Sequence, residues 1–190
     1  MSATIKLNLG CGQNHKAGYV NVDRYGQPDI CHDLETFPWP WAENSVGEVV
    51  LNHVLEHLGE SRSIYLKIIQ EIYRICKHGA AVHVAVPHPR SDDFINDPTH
   101  VRIVTPAGLE LFSKSKNKEW IDNGYANSPL GLYLDVDFKM TQVNYCLEPR
   151  WSEKLNAGRC TREDVYDAML TYNNVVKEIR IHLTVLKQNP

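Results

Sequence analysis

Apolar positions in the first ninety residues come in short runs set apart by polar turns. IKLNL at 5–9 reads as a strand, YVNVD at 19–23 as a second and DICH at 29–32 as a short third. FPWPWAENS then reads as an irregular loop with a turn at Glu43–Ser45, and VGEVVLN at 46–52 as a fourth strand. After that the period changes. Tyr65, Ile68, Ile69, Ile72, Ile75 and Cys76 recur at the spacing of one helix face. Lys77 and His78 fall where cations suit a helix C-terminus, and Gly79 is a natural stop. AAVHVAV at 80–86 is a fifth strand, halted by Pro87. These strands are nearly continuous in apolar character, which predicts a parallel sheet covered on both faces.

The second half is patterned differently. Residues 87–105 form a long polar loop, residues 106–123 look helical, and GYANSPLGLY is another loop. LYLDVDFKMTQVNY, within 132–147, alternates as a long strand, and VVKEIRIHLTVLK at 175–187 alternates again. A helix is expected over 163–172. Two long alternating strands predict an antiparallel pair closing one sheet edge. The expected architecture is α/β: a Rossmann-like, seven-stranded, mostly parallel sheet with an antiparallel C-terminal strand and helices on both faces. It is expected to be one domain over 1–190, with a ligand-binding half at about 1–87 and acceptor-site loops and closing strands at about 88–190.

Composition narrows the partners. With 190 residues, 43% hydrophobic and 23% charged, the chain suits one globular core. A net charge of -3 and a pI of about 6.3 offer no basic excess for phosphate neutralisation, so nucleic acid is not expected. No apolar run approaches a membrane span and no signal-peptide pattern opens the chain. The five cysteines are an odd number without a CxxC pair, which fits reduced thiols in a cytoplasm better than disulfides or a thiolate metal site.

The candidate chemistry begins at LNLGCGQNHKAGYVNVD. Gly10-Cys11-Gly12 directly follows a strand, where missing side chains let a ligand approach the backbone. Asp23 ends the next strand, where a carboxylate can take both hydroxyls of a ribose. The dinucleotide fingerprint has a third glycine where His15 stands, and its acid lies about 20 residues on. Here Asp23 is 13 residues after Gly10, and only six residues, Gln13 to Gly18, separate the turn from the next strand. A pyrophosphate needs the free N–H groups and dipole of a proper helix after the turn. Six residues are too few for the usual parallel crossover of ten or more. A nucleoside without phosphate loses little from this, and S-adenosylmethionine is such a ligand. The competing reading is a tight structural turn beside a solvated Asp23.

The succession LNLGCG, GYVNVD, DICHDLETFPWPWAENS and VGEVVLNHVLEHL resembles the class I S-adenosylmethionine-dependent methyltransferases, in particular a compact bacterial branch with a shortened first crossover. The resemblance covers roughly residues 5–87 and is fainter in DPTHVRIVTPAGLELF. It implies a cofactor, S-adenosylmethionine, and roles for particular residues. Leu9, Gly10, Cys11 and Gly12 would pass under its methionine part. Asp23 would hold the ribose hydroxyls with Arg24 beside it. Asp33 would accept from the adenine amino group, the Leu34 backbone would meet the ring edge, and Asn52 and His53 would line the sulfonium and amino group.

HVLEH places His53, Glu56 and His57 close in sequence, with the two histidines four apart as on one helix face. The string also matches the HxxEH zinc pattern of a peptidase class, which needs a helix and a third ligand. Its context after a buried strand favours a place beside the reacting methyl, and no metal is expected. The loop HPRSDDFINDPTHVR opens from the fifth strand towards the same edge. Within it His100 can titrate near neutral pH and Arg102 can anchor an anionic acceptor. His53, His57 and His100 are the candidate bases, with none singled out, and Tyr125 and Tyr133 are candidates for a lid. The leading expectation is transfer of a methyl group by in-line displacement to a small-molecule or saccharide-like acceptor. A zinc hydrolase and a non-catalytic cofactor-binding partner module are the alternatives.

Overall fold

The computed structural model describes residues 4–187. Seven strands, β1 (Ile5–Leu9), β2 (Val20–Asp23), β3 (Ile30–Cys31), β4 (Val46–Asn52), β5 (Cys76–Pro87), β6 (Phe138–Leu147) and β7 (Val176–Val185), form one sheet in the order β3-β2-β1-β4-β5-β7-β6. All the pairs among β1 to β5 are parallel, and β7 runs antiparallel to both of its neighbours. The expected reversed strand is therefore β7. Chain order departs left from β1 to β2 and right from β1 to β4, so the switch point opens between β1 and β4. The β1–β2 connection holds turns only, with no helix between Gly12 and Tyr19.

Helix α1 (Arg62–Ile75) starts where the Ser61 hydroxyl accepts from the Ile64 N–H, an N-cap that satisfies one free donor. Its buried stripe of Tyr65, Ile68, Ile69, Ile72 and Ile75 matches the sequence spacing. Lys77 and His78 are not in its last turn. The buried Cys76 is already extended and pairs with Val46 as the first residue of β5. A register shift between Val46 and Glu48 then absorbs the next residues, with Gly79 at φ +75°.

Several loops carry short helices. These are α2 (Asp92–Ile95), α3 (Pro106–Glu110), α4 (Lys114–Asp122) and α5 (Leu130–Tyr133). The helix expected over 106–123 is broken because Phe112 turns into the core and Ser113 caps a new start. The strand expected from 132 begins only at Phe138, since α5 occupies the earlier positions and Asp135 takes a left-handed φ of +53°. Helix α6 (Pro149–Asn156), which the sequence pattern did not indicate, and α7 (Arg162–Thr171) pack on each other through Val165, Ala168, Trp151 and Leu155. No helix among the described residues is long and apolar enough to cross a membrane.

The central strands alternate more strictly than their composition indicates. One face carries Leu7, Leu9, Val49, Leu51, Val82, Val84, Ile181 and Leu183, and Ile69 and Ile72 of α1, Leu109 of α3 and Phe112 just after it pack there. Of the positions between them, Asn8 is buried, while Lys6, Glu48, Val50, His83, Arg180 and His182 are only partly buried or exposed. On this second face Lys6 pairs with Glu48 at 2.8 Å, the Tyr19 hydroxyl bonds to Glu48, and His83 Nδ1 lies 3.1 Å from His182 Nδ1. The expected helical cover on both faces is thus met on the apolar face, whereas mid-sheet the other face is a partly solvated polar network. An alternating strand needs only one dry side.

The Pro/Trp loop is fixed by one ion pair of α1. Glu71, 2% exposed, accepts from the Trp39 N–H at 2.7 Å and from Arg74 Nε and Nη2 at 2.9 and 2.7 Å. Arg74 in turn donates to the Trp41 and Trp39 carbonyls. Burial pushes the Glu71 carboxyl up, but Arg74 and the Trp39 N–H outweigh it and hold it below the usual carboxylate range. A depressed folded pKa adds stability above the unfolded value, and that contribution is lost as pH falls through the folded pKa. Glu71→Gln is expected to cost about 3 kcal/mol at neutral pH, because Arg74 is left without its charge partner. In urea titrations the gap between wild type and variant should narrow below about pH 4. A gap independent of pH would contradict the assignment.

Candidate active site

The carboxyl ends of β1, β2 and β4 converge on the glycine turn. Gly10 has φ +64°, and a Cβ placed there would lie 2.5 Å from Val54 Cγ2 and 2.7 Å from Val54 Cγ1. Only glycine fits both the conformation and the approach. The Cys11 N–H donates to the Val22 carbonyl at 3.0 Å, which ties the turn to β2. The Gly12 N–H donates to Asp23 Oδ2 at 2.8 Å, and the Tyr25 N–H donates to Asp23 Oδ1 at 3.0 Å. Two backbone N–H groups thus hold Asp23 at the edge of the groove that it lines.

A groove of about 380 Å³ opens on one side of this turn, lined by Gly10, Asp23, Asp33, Leu34, His53 and His57 among others. A second, of about 520 Å³, lies on the other side, where Gly12, Asn14, Lys16 and Asn52 form the wall and no helix follows the turn. Gly10 and His53 border both. Each volume is of nucleoside size. Asp23, Asp33, Glu35 and Glu60 line the first groove against the permanent cation Arg24, whose Nη1 is 3.8 Å from Asp33 Oδ2, and the titratable His53. This acidic wall favours a cationic ligand and disfavours a phosphate.

Asp33 and Leu34 owe their place to the Trp39 loop. The Trp39 indole N–H donates to the Leu34 carbonyl at 3.1 Å, and Asp33 Oδ1 accepts from the Glu35 N–H at 2.9 Å. Leu9 is fully buried, so only its backbone can face a ligand, and Cys11 is buried while Gly12 and Asn52 are exposed. The residues expected around the cofactor are therefore gathered around one turn, with Asn52 on the uncovered side.

The histidines are arranged otherwise than on a helix face. His53 adopts a left-handed φ of +55°, and Leu55–His57 is a single 3-10 turn. His53 and His57 thus do not share a helical stripe, and the helix that the zinc-hydrolase alternative requires is absent at this position. His53 Nε2 lies 2.7 Å from Glu178 Oε2 and its Nδ1 3.4 Å from Glu56 Oε1. Glu56 above all, and Glu178 on β7, raise the His53 pKa despite its partial burial. Glu178, which holds His53 from 125 positions away, has no signal in the local sequence. His57 and His100 meet with ring centroids 4.5 Å apart. Arg102 is set apart from them: it donates to the Gly59 carbonyl, stacks over Tyr65 at 4.0 Å and lines a different groove with Arg62. Tyr125 and Tyr133 are exposed and do not line the groove at Gly10.

No family model matches the chain, and no curated protein matches it in sequence. Solved structures do match in fold. A SAM-dependent methyltransferase from Archaeoglobus fulgidus is similar with a TM-score of 0.62 at 16% identity, over 96% of this chain and 86% of that one. A 1,6-didemethyltoxoflavin-N1-methyltransferase from Burkholderia thailandensis, bound to 1,6-didemethyltoxoflavin and S-adenosylhomocysteine, has a TM-score of 0.55 at 9% identity, over 96% and 71%. The cyclase SpnF has a TM-score of 0.51 at 15% identity, over 97% and 76%. One fold thus carries more than one chemistry. The strand order, the reversed β7 and these likenesses agree: the chain has the fold of the class I S-adenosylmethionine-dependent methyltransferases.

Proposed function

We propose that this chain is a methyltransferase that uses S-adenosylmethionine and moves a methyl group to a small-molecule or saccharide-like acceptor. The observation that carries the reading is Asp23, tied to the Gly12 N–H at the rim of an acidic groove with no helix after the glycine turn. Asp23 would accept from the ribose hydroxyls, and Asp33 with the Leu34 backbone would meet the adenine. Gly10 would leave room for the methionine part, with Leu9, Cys11, Gly12 and Asn52 around it. The bound cofactor supplies a methyl already activated by a positive sulfur. The chain's own task is to align an acceptor in line with that methyl and keep water out.

His53 is placed at the border of both grooves and keeps its proton to higher pH than a free histidine. With Nε2 on Glu178 and Nδ1 towards Glu56, it serves poorly as a base. His57 and His100 stand at the groove's wall or just behind it, where the acceptor would approach. We place the protein in the cytoplasm on its composition. Turnover tests the reading: with S-adenosylmethionine and a panel of hydroxylated acceptors, S-adenosylhomocysteine should accumulate only when a productive acceptor is present. Tight cofactor binding with no release for any acceptor would favour the non-catalytic module instead.

A further inference from the structure

Glu56 is 1% exposed, yet neither of its carboxylate oxygens has a hydrogen-bond partner. His53 Nδ1 pairs with Oε1 at 3.4 Å, outside hydrogen-bond geometry, and Oε2 has no partner at all. A buried carboxylate with one side open in this way gains from a second cation. Two imidazoles converge on the same spot: Glu56, His57 and His100 each offer one ligand atom, all within 4.8 Å of one another.

The surroundings orient both rings as ligands. His100 Nδ1 lies 2.8 Å from the Phe94 carbonyl, so it carries the proton, and its Nε2, 3.8 Å from Asp97 Oδ2 and beyond hydrogen-bond range, keeps a lone pair for a ligand. The Thr99 hydroxyl donates to Asp97 Oδ1 at 2.6 Å and so accepts from His57 Nδ1–H at 3.0 Å, which leaves the His57 Nε2 lone pair free as well. A ring nitrogen bonded to a carbonyl, or to a hydroxyl that a carboxylate holds, is the usual support of a metal-bound histidine. Phe94 stacks on the His100 ring at 5.1 Å and fixes its plane.

We infer that Glu56, His57 and His100 bind a divalent first-row transition cation at the wall of the cofactor groove. Two imidazoles and one carboxylate suit manganese, iron, cobalt or zinc and leave coordination positions open. His57 and Val101 both line the groove, so the site stands beside it. Resting on the methyltransferase reading, the open positions suit an acceptor that presents oxygen. On this proposal His57 and His100 act as ligands rather than as bases, and a metal would join a site where none was expected from the sequence.

The test is calorimetry of the full chain, freed of metal by chelator, titrated with Mn²⁺ and with Zn²⁺. One equivalent is expected to bind. His57→Ala, His100→Ala and Glu56→Gln should each weaken binding by at least about a hundredfold, and Thr99→Ala, which only orients His57, by about tenfold. His83→Ala, in the second-face histidine pair, should change nothing. Absence of binding, or unchanged affinity in a folded His57→Ala, His100→Ala double variant, would overturn the site. The same variants are titrated with S-adenosylhomocysteine. If metal binds and the nucleoside does not, the methyltransferase reading fails and the metal site stands. The reverse result removes only the metal site.

Discussion

Replacing Asp23 by alanine is expected to weaken S-adenosylhomocysteine binding by more than about a hundredfold. The magnitude follows from two hydrogen bonds between a carboxylate and ribose hydroxyls, each at the low end of the roughly 1.5–3 kcal/mol for charged acceptors. The substitution also frees the Gly12 and Tyr25 N–H groups, which donate to the two Asp23 oxygens. Asp23→Asn separates these effects. It keeps one acceptor for the turn but loses the charge, so its affinity should fall between wild type and alanine. Calorimetry reads both. Unchanged affinity in Asp23→Ala would remove the ribose assignment and leave Asp23 as a structural clip of the turn.

Gly10→Ala is expected to have the largest effect on folding. Two costs add there. A left-handed φ of +64° costs an alanine about 1–2 kcal/mol. The new methyl would also lie within 2.7 Å of both Val54 methyls, and overpacking of this kind costs about 1–3 kcal/mol. The two are separable because only the second depends on Val54. In the Gly10→Ala background, Val54→Ala should return the overpacking part, while in wild type it should destabilise by opening a small void. A double-mutant cycle in urea measures the coupling. Additive effects would show that Gly10 is held to glycine by backbone conformation alone.

The local parts of this architecture were legible because each follows from a short pattern. IKLNL and VGEVVLN start and stop at the residues observed, and the Ile68 to Ile75 stripe is the buried face of α1. The reversed β7 could be foreseen because two long alternating strands late in the chain pair most simply as antiparallel neighbours. The six-residue gap after Gly12 likewise leaves no space for a helix. What was not legible depends on partners far away in sequence. Cys76 leaves the helix because Val46 offers it a strand position. His53 is held by Glu178, from the last strand, as well as by its neighbour Glu56. Arg102 turns from the groove because Tyr65 and the Gly59 carbonyl hold it elsewhere. HVLEH misled because helical spacing was read into a segment that His53 enters with a positive φ. The polar second face was hidden by composition, since strands counted as apolar in total place Lys6, Glu48 and His83 on one side.

These features bear on ligand choice as well as on fold. The glycine turn and Asp23 are the parts of a nucleotide site that serve a ribose. The helix that would serve a pyrophosphate is absent among the described residues, and Asp33, Glu35 and Glu60 add negative charge to the wall. Parallel calorimetry of the wild-type chain with S-adenosylhomocysteine and with NAD tests this most directly. The first should bind one per chain, and the second at least about a hundredfold more weakly, because its phosphates meet carboxylates and no helix N-terminus. Equal or tighter binding of NAD would contradict the account.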